Sequence, residues 1–311
     1  MSQIRIPTAL RPPSTPSPTA PLRSAPGDGG PTPAASPYVK LVTSEAVSRF
    51  EGPPMANHRE TEWWKGRPLS EARNAHSTNT REDFEHALAE GYNFLEGDVR
   101  QEINPPHALE MRHDKGHEPG DNLTLQEWLQ AGKRSGRGLK LDVKEGQHLG
   151  RVLEEVERSG VPHERLMFNL GDGDMDRWAA EIRRRFPEST LAINPTGSLD
   201  GKQNDGPLQD WQVERMITLA QQGGAPVTFV VRHDLLTDAA IQKLREHGTI
   251  SVWNSPSRGG VQDVAALTEQ LRNRGVDGVI DLRPSMGLVD KATAAVSGGW
   301  GWVKGKLDGI F

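Results

Sequence analysis

The chain has 311 residues, enough for one large α/β domain or two ordinary ones, with a formal net charge of −5. It contains no cysteine, which excludes disulfides, thiolate nucleophiles and cysteine-ligated zinc. Beyond residue 50 the chain holds 32 basic against 40 acidic residues, so it lacks the basic face of a nucleic-acid binder.

Ten of the 23 prolines fall in the first 50 positions, among Ser, Thr, Ala and Gly. Such sequence buries too little surface to fold alone, and residues 1–54 are expected to form a disordered tail, with 55–311 as the folded domain. Tyr38–Val42 is a candidate docking element within that tail. No apolar run approaches the length of a membrane span, and the N-terminus has no apolar signal region. The expected location is cytoplasmic, or exported by a route that reads no classical signal.

From residue 56 onward, strand-like and helix-like stretches alternate. A first strand ends at Ala75-His76. A helix over 80–90 follows, with Thr80 as cap, Asp83 at its third position and Phe84, Ala87 and Leu88 as its apolar stripe. Strands are expected at 92–99, 108–114, 138–144, 166–170, 190–195, 227–231, 249–254 and 276–281. Helices are expected at 124–133, 149–159, 174–185, 208–222, 237–247 and 261–274. Strand then helix, repeated about eight times, predicts an α/β fold of the (β/α)8 TIM-barrel type. Nine strand candidates compete for eight places, and the short 108–113 segment is the one expected outside the barrel. A doubly wound open sheet is the rival architecture, but Ser77-Thr78-Asn79-Thr80 offers no glycine-rich phosphate loop after the first strand.

Glu96-Gly97-Asp98 lies at the end of the second strand. Side chains alternate along a strand, so Glu96 and Asp98 share a face. Two buried carboxylates on one face repel each other, and a hard divalent cation such as Mg²⁺ or Ca²⁺ relieves that cost. Asp142 and Lys144 repeat the same spacing. In a barrel, function gathers at the C-terminal strand ends, where His76, His113, Asn169, Asn194, Trp253 and Asp281 also fall. Glu96, Asp98 and Asp142 would hold the ion, and Lys144 with the ion would hold a phosphate. His76 and His113 would serve as general base and general acid, because histidine ordinarily titrates near working pH. A zinc hydrolase with both histidines as ligands, and a Schiff base on Lys144, are weaker readings.

The ordered set His76-Ser77-Thr78-Asn79, Phe94-Leu95-Glu96-Gly97-Asp98-Val99, Met111-Arg112-His113-Asp114, Leu139 to Lys144, Ser251-Val252-Trp253 and Gly275 to Asp281 resembles the glycerophosphodiester phosphodiesterase and phosphatidylinositol phospholipase C type of TIM barrel. It is also similar to the sphingomyelinase D toxins, and most of all to the menorin family, whose helix pattern is matched by Thr124, Leu125, Glu127, Trp128 and Leu129. The resemblance covers about residues 70–284. It implies a PLC-like phosphodiesterase with His76 and His113 as the catalytic pair. Glu96, Asp98 and Asp142 would be its metal ligands and Lys144 its phosphate contact. Asn79, Asn169, Asn194 and Trp253 are the expected substrate contacts. Ser77 and Thr78 follow His76 where typical glycerophosphodiester phosphodiesterases read His-Arg-Gly, so the phosphate-contacting arginine is missing at that place.

The expected partner is a small phosphodiester or a phospholipid headgroup, with no nucleic acid and no transmembrane segment. Gly298 to Trp302 and Ile310-Phe311 are candidates for peripheral membrane contact. The alternative is a non-catalytic menorin-like module that binds a headgroup or a partner protein.

Overall fold

The computed structural model describes residues 62–63, 65–102, 107–115, 122–195, 206–254 and 260–284. The Pro-rich segment 1–54, Tyr38–Val42, most of the glycine-rich loop at 196–205 and the Gly298–Trp302 stretch lie outside the described residues.

Eight parallel strands make a single sheet: β1 (Asn74–Ala75), β2 (Phe94–Gln101), β4 (Gly138–Val143), β5 (Leu166–Leu170), β6 (Thr190–Ile193), β7 (Val227–Arg232), β8 (Thr249–Trp253) and β9 (Ile280–Asp281). β3 (Leu109–Met111) pairs antiparallel with β2 and stays outside that series, as expected of the short segment. The connections carry α1 (Arg81–Ala89), α2 (Leu125–Ser135), α3 (Leu149–Ser159), α4 (Asp172–Arg185), α5 (Asp210–Gly223), α6 (Asp238–Arg245) and α7 (Val264–Arg274). Strand order follows chain order throughout, so the sheet curls one way into a (β/α)8 barrel. β9 meets β1 through side chains: Asn74 Nδ2 donates to Glu96 Oε2 and to Asp281 Oδ2, each at 2.9 Å.

Local sequence explains the helix limits. Thr80 and Thr124 accept hydrogen bonds from the backbones of Asp83 and Glu127, and Glu127 completes a capping box. Gly136 and Gly160 end α2 and α3 in left-handed conformation, which glycine adopts without cost. On α3 the buried residues Leu149, Val152, Leu153 and Val156 form one stripe against the sheet. None of the helices among the described residues is long and apolar enough to cross a membrane.

The main core lies between the sheet and the helices, around Leu95, Leu139, Leu141, Phe168, Trp128 and Leu129. A smaller apolar cluster of Trp63, Phe94, Met167, Ala192, Val230 and Val279 plugs the barrel interior. Above this plug the inward positions turn polar. The strand expected over 276–281 is shorter than its pattern suggests. Gly278 N–H bonds to Ile250 O and Val252 N–H to Val279 O, but Val279 N–H turns to Ser251 Oγ, and the regular strand covers only Ile280–Asp281.

Candidate active site and metal centre

β2 and β4 run side by side with Glu96 opposite Lys140 and Asp98 opposite Asp142. This register, together with the period-two alternation, stacks four charged side chains in two layers inside the barrel. Glu96 is 1% exposed and Asp98 is fully buried. One ligand atom from each of Glu96, Asp98 and Asp142 lies within 4.8 Å of the others. Asp98 Oδ1 accepts no hydrogen bond despite its burial, although Lys144 Nζ stands 2.8 Å away. Three buried carboxylates offering only oxygen donors at this spacing fit a hard divalent cation. Glu96, Asp98 and Asp142 are the residues that would hold it.

Lys144 follows directly on β4. Its ammonium donates to Asp142 Oδ2 at 2.6 Å as well as pairing with Asp98. Burial would raise the Asp98 carboxyl, but Lys144, His76 and His113 together outweigh it and hold the group at about 2. Burial alone would lower the Lys144 ammonium, and the two carboxylates push it up instead. Lys144 is therefore a fixed positive charge.

His76 sits just past β1 with its side chain 34% exposed. Its Nδ1 is 3.1 Å from Glu96 Oε2 and 3.3 Å from Asp281 Oδ2, between the two rather than aligned on either. Burial pulls the imidazole pKa down, but Glu96 and then Asp281 more than offset it and raise it to about 8. With Nδ1 turned to carboxylates, Nε2 is the nitrogen left for the mouth. Ser77 then adopts φ +53, a left-handed turn that is strained for a residue with a side chain. That turn brings Thr78 N–H and Oγ1 onto Glu96 O, at 2.6 and 2.9 Å.

His113 arrives by a different route from the one its sequence pattern suggests. β3 runs opposite to the barrel strands, so His113 does not sit at a C-terminal barrel-strand end. β3 folds back along β2 and leaves His113 in the turn beyond, 53% exposed, with Nδ1 2.9 Å from Asp114 Oδ1. It lies close enough to Asp98 to favour that carboxylate's charge. Arg100 Nε donates to His113 O at 2.7 Å and its guanidinium pairs with Glu145 at 3.0 Å. Arg112 donates to Asp114 O and to Glu110, so the turn is held from both sides.

The expected substrate contacts divide. Trp253, half-buried, flanks Asp281 in the β8–β9 register. Asn194 Nδ2 donates to Asn169 Oδ1 at 2.7 Å, which ties two adjacent strand ends together. Asn79 is buried and committed to Asp98 through both ends of its amide. Three residues of the centre had no assigned part in the sequence pattern: Asp281, Lys140 and Asn74. Asp281 carries a visible signal, a carboxylate at the last strand end. Lys140 is the inward position two before Asp142, legible once the strand face is known. Asn74 has no comparable signal.

The sequence model of the menorin N-terminal domain matches residues 69–170. Over that segment the chain is similar to the menorin family. The matched segment contains His76, Glu96, Asp98, His113, Asp142 and Lys144, whereas Trp253 and Asp281 lie beyond it. Among curated proteins none matches. Three solved structures are similar in shape. One from Silicibacter pomeroyi, described provisionally as a glycerophosphoryl diester phosphodiesterase, has a TM-score of 0.48 at 15% identity, over 67% of this chain and 88% of its own. The glycerophosphodiester phosphodiesterase from Agrobacterium tumefaciens has a TM-score of 0.44 at 14% identity, over 73% and 98%. A phospho-2-dehydro-3-deoxyheptonate aldolase from Thermotoga maritima has a TM-score of 0.44 at 14% identity, over 72% and 69%. Likenesses at these scores carry neither substrate nor mechanism to this chain.

Proposed function

We propose that this chain is a divalent-metal-dependent phosphoric diester hydrolase, acting on a glycerophosphodiester or (lyso)phospholipid-type substrate. One observation carries the reading. Three buried carboxylates converge within 4.8 Å, beside a histidine set between two carboxylates. The hard donor set favours Mg²⁺ or Ca²⁺, which supplies Lewis-acid polarisation of a phosphoryl oxygen.

The remaining work falls to the chain's own side chains. Lys144 would bind a second phosphoryl oxygen and offset charge developing there. His76, its Nδ1 held by Glu96 and Asp281, would take through Nε2 the proton of the attacking water or neighbouring substrate hydroxyl. His113, on the exposed side of the mouth, would return a proton to the leaving alkoxide. Trp253, Asn169 and Asn194 would face the headgroup, and Asn79 would orient Asp98. The departure at Ser77 leaves Lys144 as the principal phosphate-binding cation.

The test is hydrolysis of glycerophosphodiesters, lysophospholipids, sphingomyelin and bis(p-nitrophenyl) phosphate with Mg²⁺, Ca²⁺ or EDTA, wild type beside His76→Ala. Turnover that EDTA and His76→Ala both abolish is the expected result. Tight metal binding with no turnover of any substrate would overturn the hydrolase and leave a binding module.

A further inference from the structure

Charged pairs recur at a two-residue spacing around the mouth. Glu96 and Asp98 share the inward face of β2, and Asp142 and Lys144 follow the same spacing on β4. Asp281 and Arg283 repeat it at the last strand. Val279 belongs to the interior plug, while Ile280 and Leu282 pack on the outer core, so Asp281 and Arg283 turn inward. The pairing of β8 with β9 runs on past the strand ends. Asn254 N–H donates to Asp281 O at 3.3 Å, Asn254 Nδ2 to Arg283 O at 2.8 Å, and Arg283 N–H to Asn254 Oδ1 at 2.7 Å. Asn254 is buried, so it fixes the Arg283 backbone from a rigid base.

Lys140, Lys144 and Arg232 also occupy inward positions, and each has a carboxylate partner. Lys140 pairs with Glu96, Lys144 with Asp98 and Asp142, and Arg232 with Asp234. The half-buried Arg283 differs: among the described residues its guanidinium makes no hydrogen bond and no ion pair, and only its backbone is bonded. Asp281, two residues before it, is taken by His76 Nδ1 and Asn74 Nδ2. The charge of Arg283 still reaches the centre. Burial would raise the Asp281 carboxyl, and the His76 hydrogen bond and Arg283 hold it down instead. Burial lowers the His76 pKa, Glu96 raises it, and Arg283 opposes Glu96. A partly desolvated guanidinium beside the reacting groups therefore keeps its donors for an anion from outside the chain. Strand order sets β4 and β9 on either side of β1 and β2, so Lys144 and Arg283 flank His76 from two sides.

We propose that Arg283 is a substrate-binding residue whose guanidinium donates to the phosphoryl oxygens from the side opposite Lys144. Two parallel N–H donors fit a pair of phosphoryl oxygens better than one ammonium does. Arg283 thus supplies from the last strand end the guanidinium that Ser77 does not supply from the first, and Asn254 positions it. The proposal rests on the phosphodiester reading above and adds a second side chain that grips the phosphate.

Calorimetric binding of inorganic phosphate in Mg²⁺, and hydrolysis of bis(p-nitrophenyl) phosphate, test it on the full chain, with melting curves to check folding. Arg283→Met should weaken phosphate binding and raise KM for the diester, each at least about tenfold, with melting unchanged. Arg283→Lys keeps the charge without the fork and should recover only part of both losses. Should Arg283→Met not fold, the loss in Arg283→Lys decides. Unchanged phosphate affinity and KM in folded Arg283→Met, even with a shifted pH profile, would overturn the contact and leave Arg283 as a charge that only tunes His76. Wild-type values in Arg283→Lys would overturn the two-donor grip. Phosphate binding that Arg283→Met loses, with no diester hydrolysed by wild type, would keep the contact and overturn the hydrolase reading instead. Wild type that binds no phosphate would overturn the contact.

Discussion

Asn79 grips Asp98 from two sides: its Nδ2 donates to Asp98 Oδ2 at 2.8 Å, and its Oδ1 accepts the Asp98 backbone N–H at 2.8 Å. At 3% exposure, with both ends of the amide committed, Asn79 orients a carboxylate rather than touching a substrate. Asn79→Ala strands a buried N–H, which costs about 1–3 kcal/mol of stability. Metal affinity should fall about tenfold, as it does when an outer partner of a ligand is lost. Thermal melts and metal titration measure both. A raised KM with unchanged metal affinity would return Asn79 to the substrate contacts.

His76 should titrate near 8 in metal-free protein, because Glu96 and Asp281 outweigh the effect of burial. Asp281→Asn removes one of the two carboxylates, and a bound divalent ion neutralises the other. Each should move the midpoint downward. NMR of the imidazole Cε1–H against pH reads this directly, and a midpoint indifferent to both changes would disconnect Asp281 from His76.

The same groups shape stability against pH. His76 has a folded pKa raised from 6.5 to about 8, so its pairing stabilises fully below 6.5 and is lost as pH rises through about 8. Asp98 has a folded pKa lowered from 3.8 to about 2, so its pairing stabilises above 3.8 and is lost as pH falls through about 2. Urea midpoints in EDTA should therefore peak between these two ranges. In His76→Ala the decline on the alkaline side should flatten.

Gly97 separates Glu96 from Asp98 and faces outward, where a Cβ would overlap Met111 Cε and come within 2.9 Å of Trp128 Cε2. Met111 can shift. Trp128 is fully buried and its Nε1 donates to Thr78 Oγ1 at 3.0 Å, so it resists. Gly97→Ala should cost about 1–3 kcal/mol through overpacking. It should also weaken metal binding, because the strand that yields carries two of the ligands. Unchanged melting and metal affinity would show that the helix layer gives way freely.

His113 depends on its backbone anchors because its side chain is largely exposed. Glu145→Gln loosens Arg100, which holds His113 O. For a general acid held less well, kcat should fall about tenfold while metal affinity stays as in wild type. A fall in metal affinity instead would place Glu145 with the metal site.

Alternation and periodicity are local properties, and the chain's order of strands and helices follows from them. So do the shared faces of Glu96 with Asp98 and of Asp142 with Lys144, and the caps at Thr80 and Thr124. The sequence by itself thus determined the barrel and the residues most able to bind a cation at its mouth. Register and closure are not local. Only the tertiary structure set Lys140 against Glu96, turned β3 back so that His113 approaches Asp98, and brought Asp281 to Asn74 across 207 positions of chain. A strand's own pattern says which side chains point inward. The stagger between neighbouring strands, and the curl that joins the last strand to the first, decide which of those side chains meet.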